Sequence, residues 1–409
     1  MTRTRIRALI PALALLSAAA VAAPSASGET ARESAQSTIL ISRALGGGLP
    51  NGPSTHAVIS NDRRWARVIA YQSEASNLVA NDTNGVSDVF LVRREGIFGN
   101  DGTQWFAGPT VLISRGLGGA PANGPSWGPS VDGAFRRVPR CIAFLSGASN
   151  LVGGDTNGKV DAFVSRLNGT GIKRVSLPGR HQSTDDTIAV AVSGNCSRIA
   201  FSTGGTMYVK SGKRVKRLGP GTDPSFSTGL RQDLVYGGPA GVYLARNGTG
   251  RPRLVAPGGA NPAYNDIKRQ VVAYEKHADG HSQVFFRDLG HGEHPASALG
   301  GRLGNGDSRN PVIGNSGYYI SFESDANNLG VNALRRAGDD NGTTDSYLYT
   351  NVRDLTLVQS VFEKAVPLPG GGFNPSMSFY ANYILFDSPA PMGSPGGSHQ
   401  VFMRYLGPL

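Results

Sequence analysis

The sequence predicts an all-β chain, a seven-bladed β-propeller of four-stranded antiparallel blades. Three observations carry this. A short apolar core ending in an aromatic residue recurs seven times along the chain, and a second strand-like run with its own aromatic follows each core. Gly 56 and Pro 25 are spread over the 409 residues instead of being gathered into one linker, the composition of many short strands joined by tight turns.

Residues 1–26 read as a signal peptide: Arg3, Arg5 and Arg7 precede an apolar stretch from Ala8 to about Ala23 that ends in small residues, the pattern of a Sec-type leader. Cleavage is expected between Ala22 and Ser27, which places the chain outside the cytoplasm, secreted or on the cell envelope. Residues 27–36 read as a linker and residues 37–409 as the propeller. No apolar run after the leader reaches the roughly 18 residues of a membrane span.

The seven cores are Ile69-Ala70-Tyr71, Ile142-Ala143-Phe144, Ile199-Ala200-Phe201, Leu234-Val235-Tyr236, Val272-Ala273-Tyr274, Ile320-Ser321-Phe322 and Ile384-Leu385-Phe386. The runs that follow them include DVFLVR (Asp88 to Arg93), DAFVSR (Asp161 to Arg166), GVYLAR (Gly241 to Arg246) and QVFMRY (Gln400 to Tyr405). Their β-branched and aromatic residues alternate with period two, as strands do. A third run such as TVLIS (Thr110 to Ser114) closes a unit, and a fourth such as AVIS (Ala57 to Ser60) opens one. Four strands per unit and a repeat near 40–50 residues match propeller blades. STILIS (Ser37 to Ser42) resembles a closing run, and no such run follows QVFMRY. The N-terminal strand is therefore expected to complete the last blade, leaving no open edge.

The phrase from Asn51 to Arg94, NGPS followed by VIAYQSEASNLVANDTNGVSDVFLVRR, and its counterpart in the second unit resemble the TolB-like, WD40-like (PD40) propeller repeat of bacterial exported proteins. The resemblance implies the propeller fold. It does not imply an activity, since repeats of this kind occur in binding proteins and in peptidase gating domains alike.

Several residues are candidates for chemistry. An Asp-x-Asn-Gly turn followed by Asp recurs three times, giving Asp82, Asn84 and Asp88, then Asp155, Asn157 and Asp161, then Asp339, Asn341 and Asp345. Calcium prefers six to eight oxygen ligands, so each triplet is a candidate metal loop that water or neighbouring loops would complete. The same residues also make a tight Asn-Gly turn with an Asp bonded to its backbone. No cofactor other than this calcium is called for. Cys141 and Cys196 are the only cysteines, and in an oxidising compartment they are expected to pair between neighbouring blades. GPSWG (Gly124 to Gly128) matches a nucleophile elbow around Ser126, but an elbow needs a strand before it and a helix after it, and here a Gly- and Pro-rich loop comes first.

The formal net charge is +11, with Lys and Arg scattered along the chain. Nucleic-acid proteins show a basic stripe interleaved with aromatics, and that class is excluded here. Contact with an anionic membrane surface is compatible with the charge. The expected function is non-catalytic: an exported monomer whose Gly- and Pro-rich loops, Gly46 to Ser54, Gly118 to Ser126 and Pro369 to Ser376, bind an envelope or extracellular protein, a peptide or a glycan. The alternative is a metal-assisted polysaccharide lyase or hydrolase, with His277, His281, His291 and His294 and the carboxylates Asp279, Asp288 and Glu293 gathered in the central funnel.

Overall fold

A computed structural model describes residues 38–407, leaving out 64, 97–103, 136, 177–181, 230, 268, 315–316, 331–340, 351–354, 359–367 and 390–396. The signal peptide and linker expected over residues 1–36 lie outside the described residues.

Seven four-stranded antiparallel sheets follow one another along the chain. Blade one is Ser54–Ile59, Val68–Ser73, Asp88–Glu95 and Phe106–Leu112. Blade two is Ser126–Val131, Cys141–Ser146, Asp161–Arg166 and Lys173–Arg174. The inner strands of blades three to six are Thr187–Val192, Thr222–Phe226, Ala260–Asn265 and Ser308–Ile313. Blade seven is Phe373–Met377, Tyr383–Ser388 and Gln400–Tyr405, completed by the N-terminal Thr38–Leu40. Ile39 lies opposite Met403 in that last pairing, so the two ends of the chain close one blade and the ring with it.

The recurring aromatics meet across strands. In every blade the aromatic that ends the core lies in register opposite the aromatic of the third strand, as in Tyr71 with Phe90 and Phe386 with Phe402. Ring centroids sit 5.9 Å apart for Tyr71 and Phe90 and 5.8 Å for Phe144 and Phe163, within the range of favourable aromatic pairs. The core is accordingly a ring of layers between blades. Val68, Ala70 and Leu91 of blade one pack on Ile142, Phe144 and Phe163 of blade two, and Tyr383, Leu385 and Met403 of blade seven pack on Ile69, Tyr71 and Phe90 of blade one. Each sheet buries both faces against its neighbours, and the central strands read as continuous apolar runs for that reason.

Candidate functional site

The inner strands surround the axis, and their first residues form a cavity of about 390 Å³ to which all seven blades contribute. The pairing of inner and second strands shifts register once in every blade, between Thr55 and Val58 in blade one and at the matching place in the others. The residue at the bulge has a left-handed backbone in six blades: His56, Gly128, Asp223, Asn261, Asn310 and Asn374, with φ between 44° and 61°. Glycine, Asn, Asp and His are the residues enriched in that conformation. In blade three the place is held by Ile188, which has no such φ and is 58 % exposed.

Proline follows the bulge in Gly128-Pro129, Asp223-Pro224, Asn261-Pro262, Asn310-Pro311 and Asn374-Pro375. These strands are the inner edges of their sheets, where the missing N–H costs no ladder bond and discourages a further strand from pairing. The sequence carries this signal as a recurring x-Pro-[Ser/Ala/Val] at the start of five blades.

Neighbouring blades are clamped at the bulges. The N–H of Gly128 donates to Gln72 Oε1 at 3.1 Å, that of Asn310 to Glu275 Oε1 at 2.7 Å, that of Asn374 to Glu323 Oε2 at 2.6 Å and that of His56 to Asp387 Oδ1 at 3.3 Å. In all four the acceptor directly follows the core aromatic of the preceding blade. The same place is Leu145, Ser202 or Gly237 in blades two, three and four. The cavity wall is therefore apolar beside Trp127, Leu145 and Ile188, and polar on the side of Asp223, Asn261, Asn310 and Asn374. Burial raises the Asp223 carboxyl above its ordinary range.

The long loops expected to carry recognition lead into the inner strands and so flank this end of the axis. Two of them, Gly46 to Ser54 and Gly118 to Ser126, and the loop around Asn305 are pinned by one device. Asn51 donates to Ser76 Oγ and accepts from the Ser76 N–H, both at 2.9 Å. Asn123 does the same with Ser149, and Asn305 with Asn327. The Ser-Asn-Leu and Asn-Asn-Leu phrases of the repeat are thus loop anchors. The opposite end of the axis is crossed by the loop after Val131. Phe135 donates its N–H to Thr228 O of blade four at 3.0 Å, its ring lies 5.3 Å from that of Phe379 in blade seven, and the Arg63 guanidinium of blade one stacks over it at 5.1 Å.

The three repeated acidic loops share a hydrogen-bond pattern. Asn84 Nδ2 donates to Asp88 Oδ2 at 2.6 Å, Asn157 Nδ2 to Asp161 Oδ2 at 3.1 Å and Asn341 Nδ2 to Asp345 Oδ2 at 2.7 Å. The other oxygen of Asp88 accepts from Ser114 and that of Asp161 from Ser176. In the second copy the Arg174 guanidinium lies between the carboxylates, 3.1 Å from Asp155 and 3.5 Å from Asp161. In the first copy Leu112 holds the corresponding place against Phe90, and burial pushes the Asp88 carboxyl up to about 6 and raises that of Asp82. Asp339 lies outside the described residues.

Cys141 and Cys196 are joined as a disulfide between blades two and three, with Cα atoms 6.1 Å apart. Ser126 is fully buried and donates to Ser146 Oγ at 2.9 Å, as Ser54 pairs with Ser73 and Ser308 with Ser324. It ties an inner strand to its neighbour and is no exposed elbow. The four histidines of blade five do not gather in the funnel. His277 and His281 flank the turn between the second and third strands, while His291 and His294 lie beyond Asp288 at the far end of the third strand. That strand runs eight residues from His281 to Asp288, about 25 Å at strand rise. None of these histidines lines the axial cavities.

No protein-family model matches the chain, and no curated protein is similar to it by sequence. Solved structures are similar in fold. Oligogalacturonate lyase from Vibrio parahaemolyticus matches at TM-score 0.51 and 7 % identity, over 90 % of this chain and 97 % of that one. A Mycobacterium tuberculosis puromycin-hydrolyzing peptidase matches at TM-score 0.50 and 9 % identity, over 89 % and 56 %. TolB from Acinetobacter baumannii is among the neighbours at TM-score 0.37 and 12 % identity, over 60 % of this chain and 59 % of that TolB. At these identities the likeness is one of fold, and the fold is the seven-bladed propeller.

Proposed function

We propose that this chain is an exported, non-catalytic propeller that binds a protein, peptide or glycan of the cell envelope at the end of the axis where the inner strands begin. One observation carries the reading: cavities walled by all seven blades lie at both ends of the inner strands, about 390 Å³ where they begin and about 310 Å³ where they finish, and the Phe135 loop crosses the second end. A concave site with an apolar wall and a few fixed polar groups is the usual form of a ligand pocket. The hydrogen-bonded Asn clips hold the flanking loops in place, so less ordering entropy is lost when a ligand docks. Export rests on the leader-like N-terminus, and the acidic loops are proposed to act as turns closed by their own Asn, Asp and Ser side chains.

The reading is tested with envelope extract and an immobilised protein, comparing the wild type with Trp127→Ala and Ile188→Asp at the cavity and Val138→Asp at the opposite end. A component retained by the wild type and by Val138→Asp but lost from both cavity variants supports it. Retention that ignores the cavity variants would overturn it.

A further inference from the structure

We propose that Cys141, Cys196 and Asp132 form a thiol–disulfide exchange site, in which Asp132 moves the proton of the Cys141 thiol. The position of Asp132 is the first argument. Where an inner strand hands over to the second strand, Ser60, Ser193 and Ser378 each accept a backbone N–H through Oγ, from Val68, Arg198 and Tyr383. In blade two the same duty falls to Asp132, whose Oδ1 accepts from Cys141 N at 2.9 Å and from Arg140 N at 2.6 Å. Blade one divides the two bonds between the Ser60 hydroxyl and the Asp62 carboxylate, whose Oδ1 accepts the Arg67 N–H at 3.1 Å, and blade two combines them in Asp132. The carboxylate brings a second oxygen, and that atom, Oδ2, is buried and has no hydrogen-bond partner. Asp132 itself is 0 % exposed.

An unpaired carboxylate oxygen inside a protein is costly, and whereas the second oxygen of Asp62 in blade one is ion-paired with Arg67, that of Asp132 has no such partner. The two sulfurs lie beside this carboxylate: one Asp132 oxygen and both Sγ atoms are within 4.8 Å of one another. The two cysteines are placed unequally. Cys141 is buried, whereas Cys196 sits partly exposed in a turn. Burial, opposed by the hydrogen bonds from Cys141 and Arg140, brings the Asp132 carboxyl up to about 6. The nearby Arg140 works against that rise, and Asp62, itself ion-paired with Arg67, adds to it. The turn that carries Cys196, Ser193 to Ser197, contributes no charged side chain.

The exchange balances with an external dithiol as the reductant. One of its thiolates attacks Cys196 Sγ, forming a mixed disulfide, and the Cys141 sulfur leaves with the electron pair of the broken bond and takes the proton of the Asp132 carboxylic acid. The second thiolate of the reagent then attacks its own sulfur in the mixed disulfide and releases Cys196. The protein disulfide is reduced to two thiols and the dithiol is oxidised to a cyclic disulfide. In the closing direction ionised Asp132 accepts the Cys141 proton, and the thiolate so formed is the nucleophile. Opening the bond removes the covalent tie between blades two and three beside the loop that carries Phe135.

The test uses the folded, full-length mature protein. Dithiothreitol should open the bond without denaturant, and oxidised glutathione should close it again. Closure at pH 7 should slow tenfold or more in Asp132→Asn and in Asp132→Ser, and the inflection near pH 6 in the wild-type rate should vanish from both. Asp132→Ser places there the hydroxyl found in blades one, three and seven and so guards against a folding failure. A bond that resists reduction in the native state, or variants that close at the wild-type rate with the wild-type profile, would overturn the proposal. A further check needs no variant. Alkylation of Cys141 in the reduced wild type should follow two inflections, one near pH 6 and one in the thiol range near 8.5, and a single thiol titration would contradict the coupling.

Discussion

The backbone N–H of Asn374 in blade seven donates to Oε2 of Glu323 in blade six at 2.6 Å. Glu323 is 5 % exposed and also accepts from Arg309 and from Asn310 Nδ2. One carboxylate thus fixes a bulge, an arginine and the junction of two blades. Glu323→Ala removes the acceptor of the partly buried Asn374 N–H and one of the two carboxylates that face Arg309, the other being Asp325, at a cost of about 2 kcal/mol. Glu323→Gln keeps one acceptor oxygen, and its loss should be less than half as large. Urea denaturation of both variants measures the difference. Equal stability of the two would show that the clamp carries no weight.

Ring closure gives a second expectation. Thr38–Leu40 is the outer strand of blade seven and pairs with Phe402 to Arg404. Deleting residues 38–43 opens the edge of that blade, so the melting temperature should fall and aggregation should rise. An unchanged melting curve would contradict the pairing.

The acidic loops should not need an ion. Asp88 and Asp161 already accept from Asn and Ser neighbours, and Arg174 stands between the two carboxylates of the second copy. Isothermal titration of chelator-treated protein with millimolar calcium is expected to give no saturable heat. Heat that disappears in Asp82→Ala would establish a calcium site in the first copy.

Stability should depend on pH through Asp132. Its folded-state value near 6 lies above the ordinary 3.8, so the folded protein binds the proton more tightly than the unfolded chain. The stabilisation from this group is complete below pH 3.8 and is lost as pH rises through 6. Asp132→Asn lacks that slope. Between pH 4 and pH 7 the urea midpoint of the wild type should fall relative to that of the variant, by up to about 3 kcal/mol in free energy. Parallel pH profiles would refute the burial argument.

The sequence made the blades legible because each sheet is buried on both faces, and the cross-strand aromatic pair, Tyr71 with Phe90 and its six counterparts, imposes one residue type at a fixed place in every repeat. Closure by the N-terminal strand could be read for a related reason, since a closing run was present before the first unit and missing after the last. The cavity was harder to see. Its signature, Asn374-Pro375 and the like, is a left-handed bulge residue followed by Pro, and taken one blade at a time it reads as an ordinary turn. The acceptors Gln72, Glu275, Glu323 and Asp387 were hidden differently, because each serves a backbone N–H of the following blade, and a backbone donor leaves no mark in the sequence. The histidines of blade five misled because closeness in sequence there spans the full length of a strand.

The central claim is that ligands dock where the inner strands begin, and photo-crosslinking from two positions tests it most directly. Ile188 at the cavity and Val138 at the opposite end are both exposed, at 58 % and 54 %, so a benzophenone amino acid fits either site without disturbing the core. With the mature protein incubated in envelope extract, the account predicts a discrete adduct from position 188 that fades when unlabelled wild type is added, and none from position 138. An adduct from position 138 alone, or none from either position, would contradict it.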